Sequence, residues 1–430
     1  MTPATEKDYA AADGNLDHDG SFAREMKDLI FVSMENWDDV WRRNQFLCRE
    51  FSNRYPQRSV LFVGLSRDVS YNLRKGTLPD IFAPRTRRNV LFPNVTVLQP
   101  LKLLPNSIPW CRIFNEWLAR RQIRRAARLL QMDAPILWLN AHYAVHMVGK
   151  LGEALVVYDV TDDWTRLSQP AVAQRLTTEQ DSQLCGRADI VLVCSKQLLA
   201  MKIKMAKNVH LVPNGVDAEH YRSVLDAQTL RPGEAKHWAK PVLGYTGTIH
   251  ADRVDVSLLE ELACGMPNST IVLVGPVMLA SEDRKRLQRL PNIIMTGPVP
   301  YERIPEYMRT FDVCITPHKV TPFTESLNPI KLWEYLAAGK PIVSAPVAGF
   351  RDFPDLVYLA HDVKSFMSAI DDALNESACK CEARRVEARR HSWGKRFDLI
   401  VKILTLSVNG ATASRSVPGR GHRANWVAHD

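Results

Sequence analysis

The stretch that decides the fold is TESLNPIKLWEYLAAGKPIVS, residues 324–344. Pro329 suits the first turn of a helix and Gly339 suits its C-terminal end, so the stretch predicts a loop, a short helix, a turn and a strand. An anion is favoured where the free N–H groups and the dipole of such a helix converge, and Lys331 adds a mobile cation. Glu334, one turn later, can accept hydrogen bonds from two ribose hydroxyls. The stretch therefore predicts recognition of phosphate and ribose.

Short β-branched apolar runs alternate with longer helix-like stretches on the N-terminal side of this unit and around it, which is typical of parallel α/β layers. The predicted strands are residues 29–33, 59–63, 95–99, 136–139, 155–158, 190–194 and 209–212 in the first half, and 242–246, 270–274, 292–295, 313–316 and 341–344 in the second. Two doubly wound sheets place the C-terminal ends of their strands across a shared cleft, where open α/β sheets bind ligands.

Length and composition agree with two domains. The chain has 430 residues, of which 46% are hydrophobic and 24% charged, which excludes disorder as the main state. The formal charge of +9 favours anionic partners such as phosphates, nucleic acid or acidic lipid headgroups. The eight cysteines form no CxxC pair, so we predict neither a disulfide framework nor a zinc ribbon.

The two ends of the chain are polar. We predict disordered tails at residues 1–24 and 409–430, because neither segment has much to bury. The N-terminal segment has no apolar h-region and no run approaches the roughly 20 apolar residues that span a bilayer, so we expect a cytoplasmic protein without a signal peptide or membrane anchor.

The stretch NPIKLWEYLAAGKPIVS, residues 328–344, resembles the nucleotide-diphosphate-sugar site of GT-B glycosyltransferases of the family 4 type, also called glycosyl transferases group 1. The resemblance covers nearly the whole chain. It also includes WDDVWRRNQ (37–45), VVYDVTDDW (156–164), VHLVPNGVD (209–217), GYTGTIH (244–250) and FDVCITP (311–317).

The resemblance implies a GT-B fold, in which two doubly wound Rossmann-like domains face a cleft. The implied domains are an acceptor-binding domain at residues 25–230, a nucleotide-sugar-binding domain at residues 231–395 and a C-terminal helix at residues 396–408 that crosses back onto the first domain. A polar linker is expected before residue 240.

The implied activity is transfer of a sugar from a nucleotide-diphosphate sugar to a lipid-linked or polysaccharide acceptor, in the biosynthesis of a cell-surface polysaccharide or exopolysaccharide. Two alternatives stay open. One is a nucleotide-sugar epimerase of the same architecture. The other is an NAD(P)-dependent oxidoreductase, against which stands the absence of a GxGxxG after any predicted strand.

The donor site departs from the family at one position. Many members carry two glutamates eight positions apart, but the residue eight before Glu334 is Ser326, and Glu325 lies one residue early. Either Glu325 supplies the first carboxylate after a local shift, or Asn328 and Lys331 take that place. The retaining or inverting outcome therefore stays open.

A glycine turn, Gly244-x-x-Gly247, follows the first strand of the second sheet, where the missing side chains let backbone N–H groups approach a diphosphate. Arg253 is a candidate to neutralise that diphosphate, with a salt bridge to Asp252 or Asp255 as the alternative. The complete set of predicted donor-binding residues is Gly247, Thr248, Arg253, His318, Glu325, Ser326, Asn328, Lys331 and Glu334.

Three aspartates, Asp159, Asp162 and Asp163, follow the predicted strand 155–158 and are expected to face the cleft from the first domain. Each is a candidate base for the acceptor hydroxyl. At least one of them is expected instead to cap a helix or to be a solvated turn acid.

His142 and His146 form an HxxxH pattern after the strand 136–139. The glutamate of a zinc-protease HExxH is absent, so no metal site is predicted, and His142 is expected to line the acceptor side. We expect no cofactor, since protein groups often take the place of a metal ion in this fold.

Residues 110–130 carry six arginines among tryptophans and aliphatic side chains. The pattern is typical of an interfacial amphipathic helix that suits anionic lipid and a lipid-linked acceptor, which would place the protein at the inner face of the membrane. The alternative is a solvated helix packed by its apolar face. No nucleic-acid partner is predicted, because no recognised binding module accompanies the charge.

Overall fold

The computed structural model describes residues 26–77, 85–167 and 169–415. The predicted tail 1–24 lies outside these residues, as does the part of the predicted tail 409–430 that follows residue 415. The strands are β1 (Leu29–Val32), β2 (Val60–Val63), β3 (Arg67–Asp68), β4 (Thr86–Arg88), β5 (Val95–Leu98), β6 (Leu101–Lys102), β7 (Ile136–Leu139), β8 (Leu155–Val160), β9 (Ile190–Val193), β10 (Val209–Leu211), β11 (Val242–Thr246), β12 (Ile249–His250), β13 (Thr270–Val274), β14 (Val277–Met278), β15 (Ile293–Gly297), β16 (Val313–Thr316), β17 (Ile342–Ser344) and β18 (Tyr358–Leu359).

The α-helices alternate with the longer strands. They are α1 (Arg43–Arg54), α2 (Val69–Lys75), α3 (Pro109–Leu129), α4 (Ala171–Arg187), α5 (Lys196–Lys202), α6 (Ala218–Arg222), α7 (Val256–Gly265), α8 (Ser281–Gln288), α9 (Ile304–Met308), α10 (Ile330–Ala337), α11 (Val363–Leu374), α12 (Cys379–Arg390) and α13 (Trp393–Arg415).

Two separate sheets carry the fold. The first has the order β10-β9-β8-β7-β1-β2-β5-β4, in which only β4 runs antiparallel to its neighbour, and the second has the order β15-β13-β11-β16-β17-β18 with parallel pairing throughout. Each of the twelve predicted strands is confirmed to within two residues at either end. The strands that the sequence did not reveal are short edge or accessory pairs, because two or three residues leave no readable periodicity.

The first sheet is buried on both faces, as its uninterrupted apolar strands require. In β1, Leu29 and Phe31 pack in the cluster on the α1 face, whereas Ile30 and Val32 pack in the cluster beneath α3 and α4. The Phe31 ring lies 5.7 Å from the ring of Trp138 on β7. The period of two thus divides one strand between two helical layers.

The deciding stretch folds as its sequence predicts, with α10 between a turn and the strand β17. Pro329 precedes the first helical residue, and Gly339 has φ of 68°, the left-handed conformation in which a helix commonly ends. Leu332 and Leu336 on one side of α10 are fully buried, which fixes which side of the helix remains for a ligand.

The segment between the sheets and the final helix join the two halves. The predicted linker includes α6, which contacts α10 of the second half. Helix α13 packs against α1 of the first half, where the rings of Trp393 and Phe46 stack at 4.8 Å. This helix begins at Trp393 and extends to Arg415, beyond the predicted end at residue 408, because adding residues to an existing helix costs little.

Candidate active site

A cavity of about 460 Å³ lies between the C-terminal ends of the two sets of strands, within the range usual for small-molecule sites. We call its two sides the first wall and the second wall, after the sheet that supplies them. The first wall includes Glu35, Arg42, Asn44, Asn140, Thr161 and Asp162, and the second wall includes Gly247, Thr248, Arg253, His318, Asn328, Lys331 and Glu334. Seven of the nine predicted donor-binding residues thus share one cavity.

Lys331 lies in the first turn of α10 and its ammonium is held in the cavity. Its Nζ donates to the hydroxyl of Tyr245 at 3.0 Å and lies 4.6 Å from the centre of that ring. A side chain at Gly247 would begin 3.5 Å from Nζ, and Gly247 has φ of +116°, so a residue other than glycine would be strained there. The glycine loop and the lysine together leave room for an anion beside the helix terminus.

The side chain of Glu334 is held by a tyrosine of the linker segment. The hydroxyl of Tyr221 donates to its Oε1 at 2.8 Å. Burial raises the pKa of Glu334, while this hydrogen bond and the charge of Lys331 lower it. Because one oxygen is held by Tyr221, the carboxylate is oriented for a second hydrogen bond from within the cavity.

His318 supplies a neutral imidazole to the second wall. It is 3% exposed, and burial together with the charges of Lys331 and Arg253 brings its pKa well below the usual range. Its Nε2 lies 3.3 Å from the hydroxyl of Tyr245, and its buried Nδ1 has no hydrogen-bond partner within the described residues. A buried ring nitrogen without a partner is available to a ligand.

Arg253 adds a second cation beside the same space. Its guanidinium lies 5.5 Å from the centre of the Phe323 ring, and its buried Nε is without a hydrogen-bond partner in the part of the chain that the structure describes. The predicted alternative, an ion pair with Asp252 or Asp255, is not formed, since Asp252 pairs with His250 and Asp255 caps α7.

The structure places two of the predicted donor-binding residues outside the cavity. Glu325 forms an ion pair with Arg351 on the surface. Ser326 is fully buried, and its Oγ donates to the carbonyl of Phe323 at 2.7 Å and accepts from the backbone N–H of Asp163 at 3.3 Å. In this structure the carboxylate of Glu325 does not line the cavity.

Asn328 lines the cavity but its amide oxygen is already engaged. Oδ1 accepts the backbone N–H of Asn214 at 2.9 Å, and the side-chain amide of Asn214 donates to the carbonyl of Asn328 at 2.6 Å. The hydroxyl of Ser195 donates to the carbonyl of Ser326 at 2.6 Å. The segment 326–328 is therefore hydrogen-bonded to the first half of the molecule on both sides.

Of the three predicted aspartates, only Asp162 lines the cavity. Burial raises its pKa, and the charge of Arg253 across the cleft lowers it. Asp159 is fully buried, where Oδ2 accepts from Nε of Arg43 at 2.9 Å and from the indole of Trp138 at 3.3 Å. It points into the core because β8 continues to Val160, two residues past the predicted end.

Asp163 and His142 both lie outside the cavity. Asp163 accepts the backbone N–H of Thr165 at 3.2 Å and pairs with Arg166, which makes it the turn acid that the sequence analysis expected among the three. His142 does not line the cavity, and it lies near the buried ion pair of Asp181 and Lys202. Burial lowers its pKa.

Several first-wall residues were not predicted. Glu35 follows β1 just as Asp162 follows β8, so the position of an acid after a buried strand could have indicated it. Asn44 and Asn140 bond to each other at 2.9 Å, although 96 residues separate them, and no local pattern signals such a pair. The same holds for Tyr221, which reaches Glu334 from the linker segment.

The described residues hold no cluster of three or more His, Cys, Asp or Glu side chains with the arrangement of a metal site. Within those same residues, no helix has both the length and the apolar character that crossing a bilayer requires.

Comparisons with known proteins agree on the architecture. The sucrose-phosphate synthase of Thermosynechococcus elongatus has a TM-score of 0.62 at 13% identity over 90% of this chain and 98% of its own. A UDP-forming trehalose-phosphate synthase of Burkholderia xenovorans has a TM-score of 0.63 at 13% identity over 89% of this chain and its full length. Anabaena HepE, solved in complex with UDP, has a TM-score of 0.60 at 15% identity over 88% and 99%. The fold is therefore that of the GT-B glycosyltransferases.

Sequence comparison gives a match to one family model and to a curated relative. Residues 240–376 match the family described as glycosyl transferases group 1. The chain is 30% identical over 271 residues to the putative teichuronic acid biosynthesis glycosyltransferase TuaH of Bacillus subtilis strain 168, in an alignment that spans 57% of this chain and 66% of that relative. Residues 240–376 are therefore the part of the chain that is similar to the group 1 glycosyl transferases, and the chain spans just under two thirds, 66%, of the length of the curated relative that it matches.

Proposed function

We propose that this protein transfers a sugar from a nucleotide-diphosphate sugar to an acceptor in the cleft between the two walls. The observation that carries the proposal is the meeting of Lys331, Glu334, His318 and the Gly247 loop around one cavity. The family match of residues 240–376 and the similarity to TuaH support sugar transfer in the biosynthesis of a cell-surface polysaccharide. The UDP complex of HepE makes UDP-sugars the first donors to test.

The second wall accounts for departure of the nucleotide. Breaking the bond between the sugar and the diphosphate leaves negative charge on the diphosphate oxygens, and preorganised cations stabilise such charge. Lys331 and Arg253 are the cations, and the first turn of α10 adds backbone N–H groups. In this proposal these groups replace a metal ion, and Glu334 holds the ribose hydroxyls.

The first experiment is a thermal-shift and calorimetry panel with UDP, GDP, ADP, CMP, TDP and NAD(P). A ligand that binds only the folded state at 100 times its Kd adds about 2.7 kcal/mol of stability. We expect one nucleoside diphosphate to stabilise the protein and Glu334→Gln to abolish that shift. The exposed Glu261→Gln on α7 is the matched control and should leave the shift intact.

Other outcomes would redirect the proposal. Stabilisation by NAD(P) alone would favour the oxidoreductase. Conversion of a nucleotide sugar to its epimer without an acceptor would favour the epimerase. Release of the nucleoside diphosphate only in the presence of a membrane or glycan fraction supports transfer, and that fraction then supplies the acceptor.

We further propose that the acceptor is lipid-linked and that the protein docks at the cytoplasmic face of the membrane. Residues 65–129 contain thirteen Lys and Arg but only three Asp and Glu. This segment therefore accounts for the whole of the positive formal net charge of the chain, which is +9. Eleven of the large apolar side chains exposed in the described residues lie within residues 65–117. Exposed apolar groups beside concentrated positive charge suit an anionic lipid surface.

Helix α3 displays this combination on one face. Trp110, Ile113, Phe114 and Trp117 are exposed at helical spacing, with Trp110 65% exposed. Arginines 121, 124, 125 and 128 continue the same spacing toward the C-terminus. The buried residues of α3 lie elsewhere on the helix, which favours the interfacial interpretation over a helix packed by its aromatic side.

Vesicle sedimentation tests the docking proposal. The protein should bind phosphatidylcholine vesicles that contain phosphatidylglycerol, bind pure phosphatidylcholine much less, and dissociate as salt is raised. Trp110→Ser with Trp117→Ser should lower the partition coefficient about tenfold or more. The control pair Leu225→Ser with Leu230→Ser removes exposed apolar groups elsewhere and should change little. Equal binding to both kinds of vesicle would contradict the charge argument.

A further inference from the structure

An asparagine pair on the first wall links α1 to the end of β7. Nδ2 of Asn44, in the first turn of α1, donates to Oδ1 of Asn140 at 2.9 Å and to Oγ of Ser33 at 2.8 Å. Asn44 is 2% exposed and Asn140 is 6% exposed, and both residues line the cavity. Because the proposed donor site uses neither residue, the pair is open to a role on the acceptor side of the cleft.

The orientation of both side-chain amides follows from one backbone carbonyl. The carbonyl of Asp159 accepts from Nδ2 of Asn140 at 3.0 Å, and a carbonyl oxygen can only accept. Asn140 must therefore turn its amide nitrogen toward β8 and its Oδ1 toward Asn44. That oxygen in turn requires the amide nitrogen of Asn44, so Oδ1 of Asn44 faces away from Asn140.

The amide oxygen of Asn44 is left without a donor. It is buried and has no hydrogen-bond partner among the residues that the structure describes. Both N–H groups of the same amide are engaged, one with Ser33 and one with Asn140, so the side chain can only accept a further hydrogen bond. A buried acceptor without a donor costs free energy unless a ligand or a water molecule supplies one. The position therefore suits a ligand group that donates a hydrogen bond.

The charges of the first wall favour a neutral group over an anion. Glu35 and Asp162 line the same wall as the asparagine pair. The two arginines of this wall are balanced, since Arg42 pairs with Glu35 at 3.1 Å and Arg43 pairs with Asp159 at 2.9 Å. A phosphate group would be repelled by these carboxylates, and the cations that suit a diphosphate belong to the second wall. A hydroxyl group, which is neutral and donates, fits these surroundings.

We propose that Asn44 accepts a hydrogen bond from a hydroxyl group of the acceptor and thereby helps to select that acceptor. Asn140 is a positioning residue, because it fixes the orientation of the Asn44 amide. This inference rests on the proposed function, since it needs an acceptor in the cleft. The groups that hold the nucleotide lie on the other wall, so loss of this bond should weaken use of the acceptor and spare the donor.

The test compares acceptor kinetics with donor kinetics, using the membrane or glycan fraction that supports transfer in the wild type. Asn44→Ala should lower kcat/KM for that fraction about 3–10-fold, the range for loss of one neutral hydrogen bond. KM for the nucleotide sugar and calorimetric affinity for the nucleoside diphosphate should stay within about twofold of wild type. Slow hydrolysis of the nucleotide sugar without an acceptor should be unchanged. Equal losses in hydrolysis and in transfer would mean that Asn44 acts on the donor or on the fold, and would overturn the inference.

Ser33→Ala is the matched control. Ser33 is fully buried and does not line the cavity, and the variant removes a structural bond of the Asn44 amide while leaving Oδ1 in place. It should lower the melting temperature but keep kcat/KM for the acceptor fraction within about twofold of wild type. A loss of kcat/KM as large as that of Asn44→Ala would mean that the asparagine has only a structural role.

A second pair of variants tests the same oxygen if Asn44→Ala does not fold. Asn44→Asp and Asn44→Ser both lose the amide N–H groups, but only the aspartate retains an oxygen at the position of Oδ1. The loss in kcat/KM for the acceptor fraction should therefore be smaller in Asn44→Asp than in Asn44→Ser. An equal or larger loss in Asn44→Asp would assign the effect to the donated bonds and contradict the inference.

Failure of this inference and failure of the proposed function give different results. A wild-type protein that binds a nucleotide but transfers no sugar with any acceptor fraction would refute the proposed function. An active wild type with an Asn44→Ala variant that uses the acceptor equally well would refute the role of Asn44 alone. Thermal unfolding of each variant establishes that it is folded.

Discussion

The two walls of the cleft are built from the chain in different ways. The second wall takes Asn328, Lys331 and Glu334 from a single short stretch, where a helix terminus, a cation and a carboxylate follow one another in sequence. The first wall collects Glu35, Asn140 and Asp162 from the ends of three strands and Asn44 from the first turn of α1. A site whose residues lie in one local unit can be predicted from its sequence motif. A site whose residues come from separate elements can be recognised only once the fold is known.

The acids at the end of β8 also differ in their surroundings, since one lines the cavity and another is buried in the core. Asp162 is open to the cavity, but its neighbour Asp159 is paired with Arg43, whose Nη1 also donates to the carbonyl of Val212 at 3.0 Å. The pair ties α1, β8 and the loop after β10 together. The buried pair of Arg43 and Asp159 therefore supports the first wall, whereas apolar packing of α10 supports the second wall.

The largest expected effect breaks the support of the first wall. Arg43→Met leaves Asp159 buried without its cation, which should lower the free energy of unfolding by about 3–5 kcal/mol. Urea unfolding measures the loss. Arg222→Met, in a pair whose side chains are 69% and 76% exposed, is the control and should cost less than about 0.5 kcal/mol. Equal losses in the two variants would mean that the buried pair is not a support.

The next effect concerns the second wall. Lys331→Met should weaken binding of the nucleoside diphosphate by about 1.5–3 kcal/mol, the range for a hydrogen bond to a charged group. Isothermal calorimetry at fixed salt measures the change. The control is Lys364→Met, at an exposed position of α11. It changes the net charge by the same amount as Lys331→Met and should bind the nucleoside diphosphate as the wild type does. Unchanged affinity in Lys331→Met would remove this lysine from the diphosphate site.

A smaller effect exposes the cost of keeping Glu35 in the cavity. Its folded pKa of about 7 exceeds the ordinary 4.5, so the folded state holds the proton more tightly and stability falls as pH rises from about 4.5 to about 7. Glu35→Gln removes this loss and should add about 1–2 kcal/mol at pH 8, a figure reduced for the exposed part of the side chain. Melting temperatures at pH 5 and pH 8 should differ from wild type mainly at pH 8; a difference independent of pH would contradict the linkage.

The smallest effect on binding is expected at Ser326. Although the family pattern placed it in the donor site, its Oγ is buried between Asp163 and Phe323, outside the cavity. Ser326→Ala should change nucleotide affinity by less than about 0.5 kcal/mol while lowering stability by about 1 kcal/mol. Calorimetry and urea unfolding on the same preparation give both values. A large loss of affinity would place the serine back in the site.

The fold was predictable to the extent that it rests on periodicity. The long buried strands are predictable from their apolar runs, and the unit around α10 is predictable from its proline and glycine. The length of β8 was the decisive error, because two more strand residues turn Asp159 from the cleft toward the core. Its partner Arg43 lies 116 residues away, and no spacing rule connects the two. His142 follows the correct strand, β7, but its side chain lies near Asp181 and Lys202 instead of the cavity.

The hydrogen bonds on the segment 326–328 have a consequence for how the two halves move. Ser195 and Asn214 of the first half hold this segment, and α10 of the donor site begins directly after it. A donor that binds better when these bonds are formed must favour their formation by the same factor, since coupling between two equilibria is reciprocal. For such a donor, substitution of Ser195, which does not line the cavity, would change the apparent donor affinity without removing a donor contact.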